Sequence, residues 1–149
     1  MAFSSVHEMI DLCKESGKPL YEVILESDLA ESGLTRAESE AEMHRLWTVM
    51  QATSDGYCGA DRSMSGFAGG DAAKVNAAAA RGVLYADGYF ADVMAEALKT
   101  AECNACMKRI VAAPTAGSCG VLPAVLLPLQ RRGLAEEPPC TAPVYRCRV

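Results

Sequence analysis

The chain has 149 residues, half of them hydrophobic and 22% charged, with a net charge of −5. That is one ordinary domain's worth of sequence with enough apolar material for a core, which excludes wholesale disorder. No stretch nears the roughly 18 apolar residues of a membrane span, and the N-terminus lacks a basic segment followed by an apolar run, which argues against a membrane anchor or a secretory signal.

The charge is unevenly spread. Residues 1–106 carry 8 basic and 17 acidic side chains, whereas residues 107–149 carry 6 and 2. The acidic part argues against nucleic-acid binding, and the basic end favours a small anion. Seven cysteines stand at positions 13, 58, 103, 106, 119, 140 and 147. An odd count without an export signal reads as reduced thiols in a cytoplasmic protein, most of them packed as small hydrophobes.

In chain order, Ser5-Val-His-Glu8 is a capping box, and Val6, Met9, Ile10 and Cys13 form an apolar stripe at helical spacing that stops at Gly17. Pro19 suits a helical first turn, and Leu20, Val23, Ile24 and Leu25 give a second, short helix ending before Gly33. Thr35-Arg-Ala-Glu38 is another capping box, opening a longer helix through Leu46, Val49 and Met50 with a solvated acidic face. Residues 54–70, with five glycines, predict a long loop. Asp71 is placed to cap the next helix, which runs on through Ala72 to Ala80. Gly82 and Gly88 bracket a turn, and Tyr89 to Met107 reads as one helix. A short apolar run from Ile110 leads into Pro114-Thr-Ala-Gly-Ser118, and an apolar, buried helix follows. No alternating strand pattern and no repeat occurs, so the expected fold class is all-α.

Two stretches carry the chemistry. Pro114-Thr-Ala-Gly-Ser-Cys-Gly120 before a helix has the makings of an anion-binding turn: small residues let a ligand approach the backbone, first-turn amides and the helix dipole favour negative charge, and Thr115 and Ser118 add hydroxyls. An ordinary capped helix start has about even odds from this pattern alone. Ser65-Gly-Phe-Ala-Gly-Gly-Asp71 is a second glycine-rich turn feeding a helix, with Lys74 one turn on. It lacks the strand and βαβ unit of a dinucleotide fingerprint, and neither stretch matches a P-loop. Cys103-Asn-Ala-Cys106 has metal or redox spacing, but no second ligand pair accompanies it and the α/β setting of a redox motif is absent, so core packing is the commoner outcome. His7 and His44 fall on amphipathic helices, and no Ser-His-Asp or Cys-His set is present.

Ser65-Gly-Phe-Ala-Gly-Gly-Asp-Ala-Ala-Lys74, Asn104-Ala-Cys-Met107 and Ile110-Val-Ala-Ala-Pro-Thr-Ala-Gly-Ser-Cys-Gly-Val-Leu-Pro-Ala-Val-Leu126 together resemble, in order, the α chain of bacterial iron–sulfur L-serine dehydratases. The resemblance runs from about residue 4 to Gly133. It implies an all-helical catalytic unit that works with a β chain or β domain. The family reaction is conversion of L-serine to pyruvate and ammonia with a [4Fe-4S] cluster and without pyridoxal phosphate. On the same footing, Thr115, Ala116, Gly117 and Ser118 would hold the substrate carboxylate, and Ser65, Gly69, Gly70, Asp71 and Lys74 would line the same cavity. The base is not identified.

The family's cluster motifs, Gly-Cys-Gln-Ala-Glu, Cys-Asp-Pro and Pro-Cys, do not occur here, and no cysteine of this chain is assigned as a ligand. The expectation is therefore the first half of an α chain over residues 1–133, inactive by itself, with exposed apolar surface around Val121 to Leu129. Residues 134–149, rich in proline and without helical periodicity, read as an irregular tail joined out of frame after Gly133. The alternatives are a non-catalytic helical module that pairs with a β subunit, and a small thiol-based metal protein using Cys103, Cys106 and Cys119.

Overall fold

The structure is a computed structural model and describes residues 5–84, 88–113 and 115–134. Among these residues there are six α-helices and no strand: α1 (Val6–Ser16), α2 (Leu20–Ser32), α3 (Arg36–Asp55), α4 (Asp71–Ala80), α5 (Gly88–Ala105) and α6 (Val121–Arg131), with a 3-10 turn at Ala116–Ser118. The all-α expectation is met. No described helix is long and apolar enough to cross a membrane. Beyond Leu134, the expected irregular tail lies outside the described residues.

The described residues divide into two compact units, one reaching to Arg45 and one starting at Leu46, so the division falls within α3. In the first unit the helix ends are set by local chemistry. Ser5 Oγ accepts from Glu8 N at 3.2 Å to start α1, and Gly17, at φ 66°, returns its amide to the Cys13 carbonyl to end it. Pro19 stands at the N-cap of α2 rather than inside its first turn. Thr35 and Glu38 close a reciprocal box at the start of α3, and those hydrogen bonds hold the Glu38 carboxyl below the usual range. Burial here is slight, since α1 buries no residue and α2 only Val23.

The second unit holds the larger core. Its centre is α5, which packs against both α4 and α6. Small residues let the helices close: Ala91 and Ala95 are buried, and a Cβ on Gly120 would stand 3.0 Å from the Ala97 carbonyl oxygen. Pro123, Leu127 and Pro128 of α6 are the largest fully buried side chains. Pro128 lacks the amide that would bond one turn back, and its tight burial offsets that loss. The exposed apolar surface expected along α6 is confined to Val121 and Val125, because the rest of the face packs into this core.

A buried charge cluster ties the C-terminal ends of α3 and α6 to the middle of α5. Glu96 is 3% exposed and its Oε1 accepts from Lys99 Nζ and Arg131 Nη1, each at 2.6 Å. Ser54 donates to its other oxygen, and Arg131 Nη2 reaches Ser54 Oγ at 3.0 Å and Asp55 Oδ1 at 2.8 Å. Burial pushes the Glu96 carboxyl up, but the bonds from Lys99 and Ser54 and the nearby positive charges outweigh it, leaving the group below the usual range.

Candidate functional site

The end of α5 organises both glycine-rich stretches. The helix stops at a Schellman turn in which Met107, at φ 59°, takes the left-handed conformation. Its amide bonds the Asn104 carbonyl at 3.0 Å and that of Lys108 bonds the Cys103 carbonyl at 2.9 Å. The last turns of α5 therefore present Glu102 and Asn104, about 200° apart around the helix at 100° per residue. Each side chain holds one of the two stretches, on roughly opposite faces.

Glu102 fastens the first. Its side chain is buried, its Oε2 accepts from Gly70 N at 2.9 Å, and its Oε1 accepts from Asp71 N at 2.6 Å and Ala72 N at 3.2 Å. Tyr57 Oη donates to the same carboxylate at 2.6 Å. Burial, then the bond to Glu102, push the Tyr57 phenol up to about 12. The N-terminus of α4 is thus occupied by a carboxylate of the protein itself, placed where the dipole and the orphan amides favour an anion. Gly70 is the N-cap, in the left-handed region at φ 88°. Asp71, expected from the sequence to cap, is instead the first helical residue, its carboxylate on Lys74 Nζ at 2.7 Å. Both side chains of that pair are exposed.

The loop before α4 is tightly built. Ser63 N bonds the Ala68 carbonyl at 2.9 Å, Gly66 N bonds the Ser63 carbonyl at 2.8 Å, and Ser63 Oγ accepts from Ala68 N at 3.1 Å. Ser65 Oγ lies 3.1 Å from Ser63 Oγ and 3.4 Å from Phe67 N. Gly69 has φ 128°, and a Cβ there would stand 2.2 Å from the Asp61 carbonyl oxygen, so no other residue fits without moving backbone.

Asn104 holds the second stretch, donating from Nδ2 to the Ala116 carbonyl at 3.2 Å. Thr115 and Ser118 form a reciprocal box: Ser118 N bonds Thr115 Oγ1 and Thr115 N bonds Ser118 Oγ, both at 3.3 Å, with the two hydroxyls 2.9 Å apart. Thr115, Ala116 and Gly117 are exposed and Ser118 is half-buried. A box of this kind uses the Thr115 and Ser118 amides and neither that of Ala116 nor that of Gly117. Pro114 lies outside the described residues. The box opens the 3-10 turn, while α6 begins only after Gly120, and Pro123 has no amide to offer in its first turn.

The structure therefore ties the two predicted stretches to one end of α5. Sequence reasoning missed the residues that do this. Nothing in local spacing links Glu102 to Gly70, 32 positions away, or Asn104 to Ala116. The available signal was an acidic and an amide residue in the last turn of α5, which also carries Asp92, Glu96 and Lys99, so nothing set Glu102 and Asn104 apart. Two crevices of about 200 Å³ lie elsewhere, one lined by Asn76, Asp92, Glu96, Lys99 and Arg131 among others, the second by Thr53, Gly56, Cys103 and Lys108 among others. Neither is lined by the two stretches.

Among the described residues the thiols do not assemble a metal centre. Cys103 is buried with its thiol 3.9 Å from the Thr53 carbonyl, and burial pushes that thiol up, against the thiolate a metal needs. Cys58, Cys106 and Cys103 line one narrow cleft with Asp61, whose carboxylate is paired with Lys108. Yet among the described residues no three His, Cys, Asp or Glu side chains are placed to hold a metal ion. Cys140 and Cys147 lie outside the described residues. An iron–sulfur cluster takes several converging cysteine thiolates, and the described donor set does not fit one.

Comparison with known proteins places the same stretches in a family. The model of the family described as serine dehydratase alpha chain matches residues 15–140. The L-serine dehydratase alpha chain of Peptoniphilus asaccharolyticus is 34% identical over 125 residues, covering 83% of this chain and 43% of that one. The probable L-serine dehydratase alpha chain of Bacillus subtilis (strain 168) is 30% identical over 130 residues, covering 87% and 43%. The chain thus spans less than half the length of these relatives. No solved structure matches.

Proposed function

Because this chain belongs to the serine dehydratase alpha-chain family, we propose that it is the segment of an L-serine dehydratase α chain that receives the substrate carboxylate. The observation that carries the reading is the exposed Thr115–Ser118 box, which lies inside the matched stretch and uses neither the Ala116 nor the Gly117 amide. Ser65, Gly69, Gly70, Asp71 and Lys74, held through Glu102 on roughly the opposite face of α5, do not touch that carboxylate in this reading. Their part is structural at Gly69 and Gly70, whose left-handed backbone brings the loop onto Glu102.

The overall reaction is loss of water from L-serine: the Cα–H and Cβ–O bonds break, a carbon–carbon double bond forms, and the resulting aminoacrylate hydrolyses to pyruvate and ammonia. The residues of this chain contribute binding and orientation of the carboxylate, which fixes the amino acid while its Cα–H and Cβ–OH are worked on. The family's [4Fe-4S] cluster does not fit the described donors. The chain's cytoplasmic setting, its β-chain partner and its inactivity when alone belong to the same proposal.

A second reading, a non-catalytic module that pairs with a β subunit, is favoured by the lack of three convergent donors among the described residues. Anaerobic iron–sulfur reconstitution of the full chain, followed by iron, sulfide and pyruvate determination with L-serine, tests both. The expected result is no cluster and no pyruvate from the chain alone, with L-serine still retained by the chain in equilibrium dialysis. Cluster assembly with turnover overturns the claim that the chain is inactive alone. Failure to retain L-serine removes the substrate-binding reading and leaves the module.

A further inference from the structure

The loop before α4 carries two large apolar side chains in almost complete contact with water: Met64 is 98% exposed and Phe67 is 95% exposed. Most apolar side chains that stay outside a core are still partly covered, so two on one four-residue tip stand out. The tip is also not loose. It is closed at its neck by the Ser63–Ala68 bonds, turned by Gly66 at φ 76°, and fixed at its base by Gly69 against Asp61 and by Gly70 on Glu102. A rigid loop that already holds an aromatic and a thioether outward loses little conformational freedom on docking, and such side chains are the usual anchors of an interface.

We propose that Met64 and Phe67 form a two-pronged plug that seats in an apolar pocket of the remaining portion of the serine dehydratase α-chain fold; this rests on the family reading above. The two relatives carry the matched stretch inside chains more than twice its length, so the fold in those proteins has further polypeptide to place against it. The tip, Met64-Ser-Gly-Phe67, bears no charge, which suits a permanent apolar seat rather than an electrostatically steered encounter. A second copy of this chain is the poorer occupant. A buried aromatic supplies about 150–250 Å², so even two tips facing each other stay below the roughly 1,000 Å² that a stable interface needs. Against a larger fold the same plug is one anchor among many contacts.

The test is co-expression of the full chain with the part of the Bacillus subtilis α chain that it does not match, with complex formation measured by co-purification and titration. The Met64→Ser/Phe67→Ser double variant is compared with the parent. Both side chains are already in water, so circular dichroism and melting of the free variant should be unchanged. Association is expected with the parent and should weaken on the order of 100-fold in the variant. In a second readout, 4-cyanophenylalanine at position 67 should show its nitrile stretch shifted from the aqueous to the apolar position on association. Absence of a complex, equal affinity of the variant, or a nitrile that stays aqueous overturns the proposal. So does self-association of the parent through the tip, or capture of the β chain alone. Association without pyruvate formation from L-serine would keep the plug and reject the catalytic reading, so the two fail separately.

Discussion

The two helix starts that the sequence marks with small residues have opposite fates. At α4 the amides of Gly70, Asp71 and Ala72 converge on Glu102, and the anion position is filled from within the protein. At the Thr115–Ser118 turn the hydroxyls satisfy each other and the site is exposed. The same local composition thus builds a structural clamp in one place and an open turn in the other. What separates them is the side chain that α5 delivers, a carboxylate at Glu102 and a carboxamide at Asn104.

Emptying the clamp has the largest expected effect. Glu102→Ala strands three backbone amides and the Tyr57 hydroxyl, and at 1–3 kcal/mol for each unsatisfied group the expected loss is about 4 kcal/mol, measured by urea unfolding. The same deletion should bring the Tyr57 phenol down from about 12, read by the phenolate absorbance. Gly69→Ala attacks the clamp from the loop side. It forces a Cβ onto the Asp61 carbonyl at a left-handed position, for an expected cost of about 3 kcal/mol.

How far these features were legible follows from the range of the interactions. The helix ends at Ser5, Gly17, Gly33 and the Thr35–Glu38 box are readable because their partners lie within four residues. The all-α class follows from periodicity. The Asp71 cap was misread because a distant carboxylate outcompetes a local one, and the Gly88–Ala105 helix ends earlier than Met107 because that residue itself turns left-handed. The expected apolar patch along α6 shrank to Val121 and Val125 because Ala91, Ala95 and Gly120 allow close packing that no hydropathy pattern reveals. The two stretches of the candidate site were legible as motifs. That α5 holds both was not.

Titration refines the picture of the second buried carboxylate. Glu96 is held below its ordinary 4.5, so its contribution to stability is complete above that value and is lost as pH falls through the lower folded value. Acid unfolding of the parent should therefore steepen below about pH 4.5, and Glu96→Gln should flatten that limb while costing about 2 kcal/mol at neutral pH through weakened bonds to Lys99 and Arg131. Tyr57 works in the opposite sense. Its raised phenol adds stability that is complete below pH 10 and disappears as pH climbs through about 12.

Smaller effects belong to the open turn and to the end of α5. Thr115→Ala removes a cap that only local groups use and should cost about 1 kcal/mol in thermal or urea unfolding. Met107→Gly should gain about 0.5 kcal/mol, because an exposed side chain at φ 59° carries a strain that glycine lacks.

One helix start is closed by Glu102, and the Thr115–Ser118 turn is proposed to be open to a carboxylate. Amide-resolved NMR during titration of L-serine into the intact chain tests it most directly. The account predicts saturable shifts at Ala116, Gly117 and Ser118 with Gly70, Asp71 and Ala72 unmoved. Shifts centred on Gly70 to Ala72, or none at Ala116 to Ser118, would contradict it.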